Sequence, residues 1–216
     1  MINVLSSVNS ILNQFISELR DAEIQKDSMR FRINLERLGK IFAYEISKTL
    51  AYENREVITP LGTANVPVLV EFPVLVTILR AGLPLHKGFL DFFDRSDNAF
   101  ISAFRRHHKD GSFSIHIEYA SIPEINDKVV ILNDTMLASG SSMVLAYREM
   151  TGHGKPRHTH IVAALASMEG LEYVKKNLPQ QEVTIWLGAI DDEMTAQSYI
   201  VPGLGDAGDL AFGKKL

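Results

Sequence analysis

A chain of 216 residues, 46% hydrophobic and 22% charged, can bury roughly 70% of the surface it exposes when unfolded, which excludes a disordered or fibrous chain. Its net charge of -4 argues against nucleic acid as the main ligand, because a phosphate-backbone binder carries a basic face. Cysteine is absent, so disulfides, thiolate nucleophiles and cysteine-held metals are excluded, oxygen and nitrogen groups must do the chemistry, and the reducing cytosol is the simplest compartment.

The first residues, "MINVLSSVNSILNQF", lack the basic start and continuous apolar stretch of a signal peptide. No run approaches the length needed to cross a bilayer, so a cytoplasmic protein with no membrane partner is expected. From about residue 7 to 50, Val8, Ile11, Leu12, Phe15, Ile16 and Leu19, and later Ile33, Leu35, Leu38, Ile41, Phe42 and Ile46, recur at helical spacing. Asp27-Ser28 is placed to cap the second helix. Residues 55–72, "REVITPLGTANVPVLVEF", set two prolines and a glycine among β-branched residues and read as a hairpin or arm.

Between 73 and 190 the chain alternates apolar runs with helical stretches. The runs are "PVLVTIL", "NAFISAF", "FSIHIEYA", "KVVILND", "HTHIVAALAS" and "VTIWLGAI", and helices are expected from about Leu83, Ser141 and Met168. Runs buried on both faces and separated by helices predict an α/β fold, a mostly parallel, doubly wound sheet. Residues 191–216, with their glycines and Pro202, are too turn-rich for either element and read as a loop or hood. The whole of 1–216 is expected to form one domain: N-terminal helices to about residue 50, the arm, the α/β core and the hood.

In such a sheet ligands bind beyond the carboxyl ends of the strands. One strand-to-helix turn there is "LNDTMLASGSS", residues 132–142. Asp134 ends the apolar run, and Ser139, Gly140, Ser141 and Ser142 offer hydroxyls, a flexible glycine and orphan N–H groups at a helix start, a natural phosphate cradle. A carboxylate just before such a cradle suits sugar hydroxyls, so the turn reads either as a ribose 5-phosphate site or as an ordinary Ser-rich helix cap with a locally bonded Asp. Neither a P-loop nor a G-x-S-x-G elbow occurs here. His158 and His160 share one strand face, but with no carboxylate partner evident a metal site is not expected there.

This turn resembles the phosphoribosyl pyrophosphate (PRPP) motif of phosphoribosyltransferases, and in particular of the uracil phosphoribosyltransferases. Three further segments resemble that family in the same order: "LRDAEIQKDSMRFRINLERLGKIFAYE" (19–45), "ILRAGLPL" (78–85) and "YIVPGLGDAGDLAFG" (199–213). The resemblance implies a phosphoribosyltransferase fold and the joining of uracil N1 to C1′ of PRPP, giving UMP and pyrophosphate. It implies PRPP contacts at Arg80, Ala81, Gly82, Arg105, Asp134, Thr135, Met136, Leu137, Ala138, Ser139, Gly140, Ser141 and Ser142. Uracil would be held by Tyr199, Ile200, Gly205, Asp206 and Ala207, with Asp206 orienting or deprotonating N1–H. Arg80 and Arg105 would meet the charge of the departing pyrophosphate, Arg105 from a mobile lid over 104–119, with Arg106 able to substitute. Mg²⁺ would be bound mainly through PRPP, with no dedicated protein metal cluster. Family members are commonly dimers or higher homo-oligomers, some respond to GTP, and the arm is the expected subunit contact. Residues 105–119 depart most from the family pattern, with His107-His108-Lys109 where acidic residues are expected; Pro84 stands where a glycine is usual, and the turn at 132–142 holds two more departures. Thr135 replaces a proline and Ser141 a glycine, and the second narrows the backbone conformations open to the loop. A regulatory or RNA-binding protein on the same fold and a transferase for another base are the competing readings.

Overall fold

The computed structural model describes residues 1–107 and 113–214, with the side chains of 104–107 and 113–116 left aside. A seven-stranded sheet has the order β1-β9-β8-β7-β4-β5-β6. Its strands are β1 (Ile2–Val4), β4 (Val74–Leu79), β5 (Asn98–His107), β6 (Phe113–Ser121), β7 (Val129–Leu137), β8 (His158–Ser167) and β9 (Val183–Asp191). All neighbours are parallel except β5 and β6, as the unbroken apolar runs predict.

The helices are α1 (Ile11–Arg20), α2 (Ser28–Ser47), α3 (Leu83–Leu90), α4 (Ser141–Gly152), α5 (Met168–Asn177) and α6 (Ala207–Phe212). One face of the sheet carries α1, α2 and α3, whose Leu12, Leu35, Phe42, Leu85 and Phe89 pack with Leu75, Ile131 and Val162. The other carries α4 and α5, whose Met143, Val144, Leu171 and Val174 pack with Val76, Leu132, Ile161 and Leu187. Both faces are thus covered, as a parallel sheet requires. No helix among the described residues is long and apolar enough to cross a membrane.

The second helix is capped as expected, Asp27 accepting from the amides of Met29 and Arg30. The first starts later than its periodicity implied: Ser10 caps it, and Val8 and Ile11 are exposed. Apolar spacing continued into a segment that does not bury it. Strand β1, three residues long, has no period to detect and forms by pairing with Ile185, Trp186 and Leu187. The arm is a hairpin, β2 (Tyr52–Thr59) with β3 (Gly62–Leu69), standing off the main sheet.

Two expectations fail. Strand β7 does not stop at Asp134, because pairing with β8 continues to Leu137 opposite Ala166. The C-terminal stretch is not free of helix and strand, since β10 (Glu193–Met194) pairs with β11 (Ile200–Val201) and α6 follows. Its glycines serve the turns between these short elements, with Gly203 and Gly205 at φ of 55° and 90°.

Candidate active site

The chain leaves β4 toward β5 and leaves β7 toward β8, in opposite directions along the sheet, so a crevice opens between the carboxyl ends of β4 and β7. Two loops border it. After β4 come Arg80, Ala81 and Gly82, with the Leu79-Arg80 peptide cis. Gly82 is required by close approach: a Cβ there would lie 2.5 Å from Thr77 Oγ1 and 2.7 Å from the Ile78 carbonyl. After β7 comes 138–142, where Gly140 takes a left-handed conformation at φ 74° and starts α4.

Beneath the loops runs a buried polar network. Thr77 Oγ1 donates to Asn133 Oδ1 at 3.1 Å, and Asn133 Nδ2 to the Val76 carbonyl at 2.9 Å. Thr135, fully buried, donates its hydroxyl to the Ala81 carbonyl at 2.6 Å and its amide to Asp134 Oδ1 at 2.7 Å. A proline could supply neither bond, so the departure at 135 couples the two loops. Ser141 carries no strain either, because it lies inside the first turn of α4 and Gly140 takes the left-handed step. Any residue adopts that helical backbone.

The 138–142 loop rests on α5. Ser167 Oγ donates to the Ala138 carbonyl at 2.5 Å and accepts from the Gly170 amide at 2.8 Å. A Cβ on Gly170 would collide with the Ala138 carbonyl. Ser139 and Ser141 hydroxyls share a 2.5 Å hydrogen bond. Ser167 and Gly170 are not legible as site residues in the sequence, where their only signal is a strand-to-helix turn next along the sheet.

Among the described residues, α3 and α4 are the α-helices that begin without a side-chain cap, while Ser10, Asp27, Ser167 and Asp206 cap the others. The first turns of α3 and α4 border the crevice: α4 offers orphan N–H groups, whereas Pro84 has no N–H and the Leu83 amide bonds the Arg80 carbonyl, so α3 contributes chiefly its dipole, and both favour anions. Between them sits Asp134, partly buried, whose carboxyl is pushed up to about 7 by burial against the opposing pull of the Thr135 and Met136 amides. Leu137 is buried in the α4–α5 cluster and Met136 packs toward the opposite face, so their backbone is what they can offer a ligand.

The hood closes one end of the crevice. Arg80 Nη2 lies 3.2 Å from the Gly213 carbonyl and 3.4 Å from Asp209 Oδ1, so the β4 loop meets α6. Asp206 caps α6, accepting from the Asp209 amide at 2.9 Å. Tyr199 is exposed, whereas Ile200 and Ala207 are buried with Leu204 and Ala211 in the cluster formed by α1 and α2. Ile200 and Ala207 are therefore left with backbone groups for any base. Arg105 lies on β5, opposite Ile115. Its side chain, that of Arg106 and the centre of the expected lid lie outside the described residues.

His158 and His160 face each other at 4.8 Å, but His160 Nδ1 accepts from Trp186 Nε1 at 3.1 Å and His158 Nε2 bonds Thr184 Oγ1 at 2.9 Å. Burial, aided by His158, depresses His160 to about 3 and keeps it neutral. A cavity between α5 and the amino end of β9, lined by Val174, Lys175, Leu178 and Ile185, is at the opposite end of the sheet from the crevice.

A sequence profile described as uracil phosphoribosyltransferase matches residues 6–214. The chain belongs to the uracil phosphoribosyltransferase family. The relative from Porphyromonas gingivalis, a uracil phosphoribosyltransferase, is 51% identical over 212 residues, 98% of each chain. The one from Pyrococcus furiosus, of the same name, is 37% identical over 93% of this chain and 85% of its own. Among solved structures, the AQ2163 protein of Aquifex aeolicus aligns with a TM-score of 0.87 at 30% identity, covering 99% of this chain and 98% of that one. A hypoxanthine phosphoribosyltransferase of Staphylococcus aureus shares the fold, with a TM-score of 0.51 at 14% identity over 74% of each chain. As a uracil phosphoribosyltransferase the chain is a pentosyltransferase, and its reaction joins uracil to the phosphoribosyl group of PRPP, giving UMP and pyrophosphate.

Proposed function

We propose that the crevice between β4 and β7 binds PRPP, with its 5′-phosphate on residues 138–142 and its pyrophosphate on Arg80, Ala81 and Gly82. The observation carrying this reading is the pair of uncapped helices, α3 and α4, which follow the two paired strands β4 and β7, with Asp134 on β7 at the crevice. One anionic group of the ligand then takes the orphan amides of α4 and the other the dipole end of α3 beside Arg80, and the sugar hydroxyls between them donate to Asp134. Those donors favour its ionised form and offset the burial that raises its pKa. As the C1′–pyrophosphate bond breaks, positive charge develops on the ribose ring and negative charge on the leaving group, which Arg80 and Arg105 meet. Asp134 and the Ser139 and Ser141 hydroxyls are oxygen groups of the kind Mg²⁺ takes, and the ion, held chiefly by PRPP oxygens, would neutralise charge on the leaving group.

Uracil is read by backbone groups of 199–207, with Asp206 accepting N1–H. A base with a different donor pattern leaves buried polar groups unpaired. The β2–β3 arm, whose Ile58 and Leu61 are 89% and 100% exposed, packs on a second copy of this chain. A GTP response, which the family resemblance implies, and a cytoplasmic location, expected from a sequence without cysteine, belong to the same reading. The test incubates the protein with Mg²⁺, PRPP and each of uracil, cytosine, hypoxanthine and orotate. UMP from uracil alone is expected, product from another base overturns the base assignment, and addition of GTP tests the effector.

A further inference from the structure

The hood is short of regular structure of its own, so something else must hold it in place. Its base-reading residues fall on either side of one turn: Tyr199 and Ile200 precede it, and Gly205 to Ala207 follow. At that turn Val201-Pro202 is cis and Gly203 is left-handed at φ 55°. Three groups from distant parts of the chain meet there. Arg20, the last residue of α1, forms a two-pronged ion pair with Asp191, the last residue of β9, its Nη1 and Nη2 each 2.7 Å from one carboxylate oxygen. The same Nη1 donates to the Gly203 carbonyl at 3.0 Å, and Asp191 Oδ2 accepts from the Gly203 amide at 3.0 Å. Both polar groups of one glycine are thus held by the two halves of one ion pair.

The burial of this clasp separates it from an ordinary surface pair. The side chains are 23% exposed for Arg20 and 7% for Asp191. A planar guanidinium can fork across a carboxylate and still reach a third acceptor, which a lysine ammonium on the same stem cannot do in one geometry. Arg32 of α2 makes a second tie, donating to the Ala211 carbonyl at 2.6 Å. The hood is therefore fastened to the N-terminal helices at the turn and at α6.

We propose that Arg20 and Asp191 are positioning residues for base recognition, setting the register of the hood through Gly203 so that its backbone groups meet uracil and reject cytosine. The proposal rests on the reading that the hood binds the base. Neither residue touches the substrate; they act on where residues 199–207 lie. A displacement of about 1 Å there misaligns several hydrogen bonds together, whereas the PRPP loops on β4 and β7 have braces of their own in Thr135 and Ser167, and Arg80 meets the hood at Asp209 and Gly213, away from the Gly203 turn.

The test uses the full-length enzyme with Arg20→Lys, Arg20→Met, Asp191→Asn and Gly205→Ala. Arg20→Lys keeps the charge and loses the fork, so KM for uracil rises about tenfold while PRPP affinity, read by calorimetry, stays within about twofold. Uracil-over-cytosine preference in kcat/KM falls by a similar factor. Arg20→Met has a larger effect, and joining Arg20→Lys to Asp191→Asn adds less than the two single effects combined, because both act through one clasp. A purely structural role predicts a lower melting temperature with KM for uracil and base preference as in the parent, and that result overturns the proposal. A parallel loss of PRPP affinity also overturns it. Gly205→Ala, at φ 90°, separates the two layers. If it raises KM for uracil and the Arg20 variants do not, the clasp alone falls; if it too leaves uracil binding unchanged, the base-reading role of the hood falls and the clasp with it.

Discussion

The bond between Thr135 and the Ala81 carbonyl is the connection between the two loops most open to measurement. Thr135→Val keeps the side-chain volume and removes the hydroxyl from a fully buried site, where it spans 2.6 Å. Leaving the Ala81 carbonyl without its donor costs about 1–3 kcal/mol, and the added methyl recovers under about 1 kcal/mol. A net loss of about 1–2 kcal/mol shifts Tm by about 2–8 °C in a domain of this size. PRPP must then reorder the Arg80–Gly82 loop as it binds, and each 1.4 kcal/mol of that cost is about tenfold, so Kd for PRPP rises about five- to thirtyfold. Calorimetry on the ligand-free protein and PRPP titration measure both, while uracil KM at saturating PRPP should hold. Thr135→Ser restores the donor and most of the affinity. Unchanged Tm and unchanged PRPP affinity in Thr135→Val would refute the claim that this hydroxyl ties the loops.

Gly170→Ala places a methyl against the Ala138 carbonyl, so the 138–142 loop must move; a stability loss of about 1–3 kcal/mol with at least about tenfold weaker PRPP binding is expected. Normal PRPP affinity in that variant would detach the loop from α5. For Asp134, burial raises the folded pKa from 3.8 to about 7, so the empty folded protein keeps a proton the unfolded chain loses. Its stability therefore falls as pH climbs from about 4 to about 7 and then levels, by about 4 kcal/mol at most. Asp134→Asn should raise Tm more at pH 8 than at pH 5, and wild-type PRPP affinity should weaken as pH falls through about 7; equal Tm gains at both pH values would contradict this. Glu18 shifts the other way: hydrogen bonds from Arg30 and Asn34 hold it at about 2 against 4.5. Its contribution is present above pH 4.5 and lost as pH falls toward 2. Glu18→Gln should cost about 1–2 kcal/mol at neutral pH, Arg30 being partly screened by solvent, and nothing near pH 2 in denaturant titrations.

The strands and helices of the core were legible because their apolar runs are long enough to carry a period and are bounded by Gly, Pro and Asp. The turn at 132–142 was legible because a hydroxyl-rich helix start after an apolar run marks itself locally. Strand β1 was not, since three residues take strand form by pairing with β9. Nor was α6, whose six residues sit among glycines and form once Asp206 caps them and Ala207 and Ala211 find the helical cluster. Ser141 and Thr135, departures when set beside the family pattern, are well accommodated by neighbours no linear reading could supply.

By itself, the sequence determined the order of the core strands and helices, the faces they bury, and the chemical groups at the ends of β4 and β7, because each depends on residues within one or two turns of each other. Tertiary structure alone decided which distant groups meet. Arg20 finds Asp191 across 171 positions, Arg80 finds Gly213 across 133, and Ser167 braces a carbonyl 29 residues away. Those bonds depend on strand order and helix packing, and hydrogen bonds are short enough that nothing less than the assembled sheet fixes them.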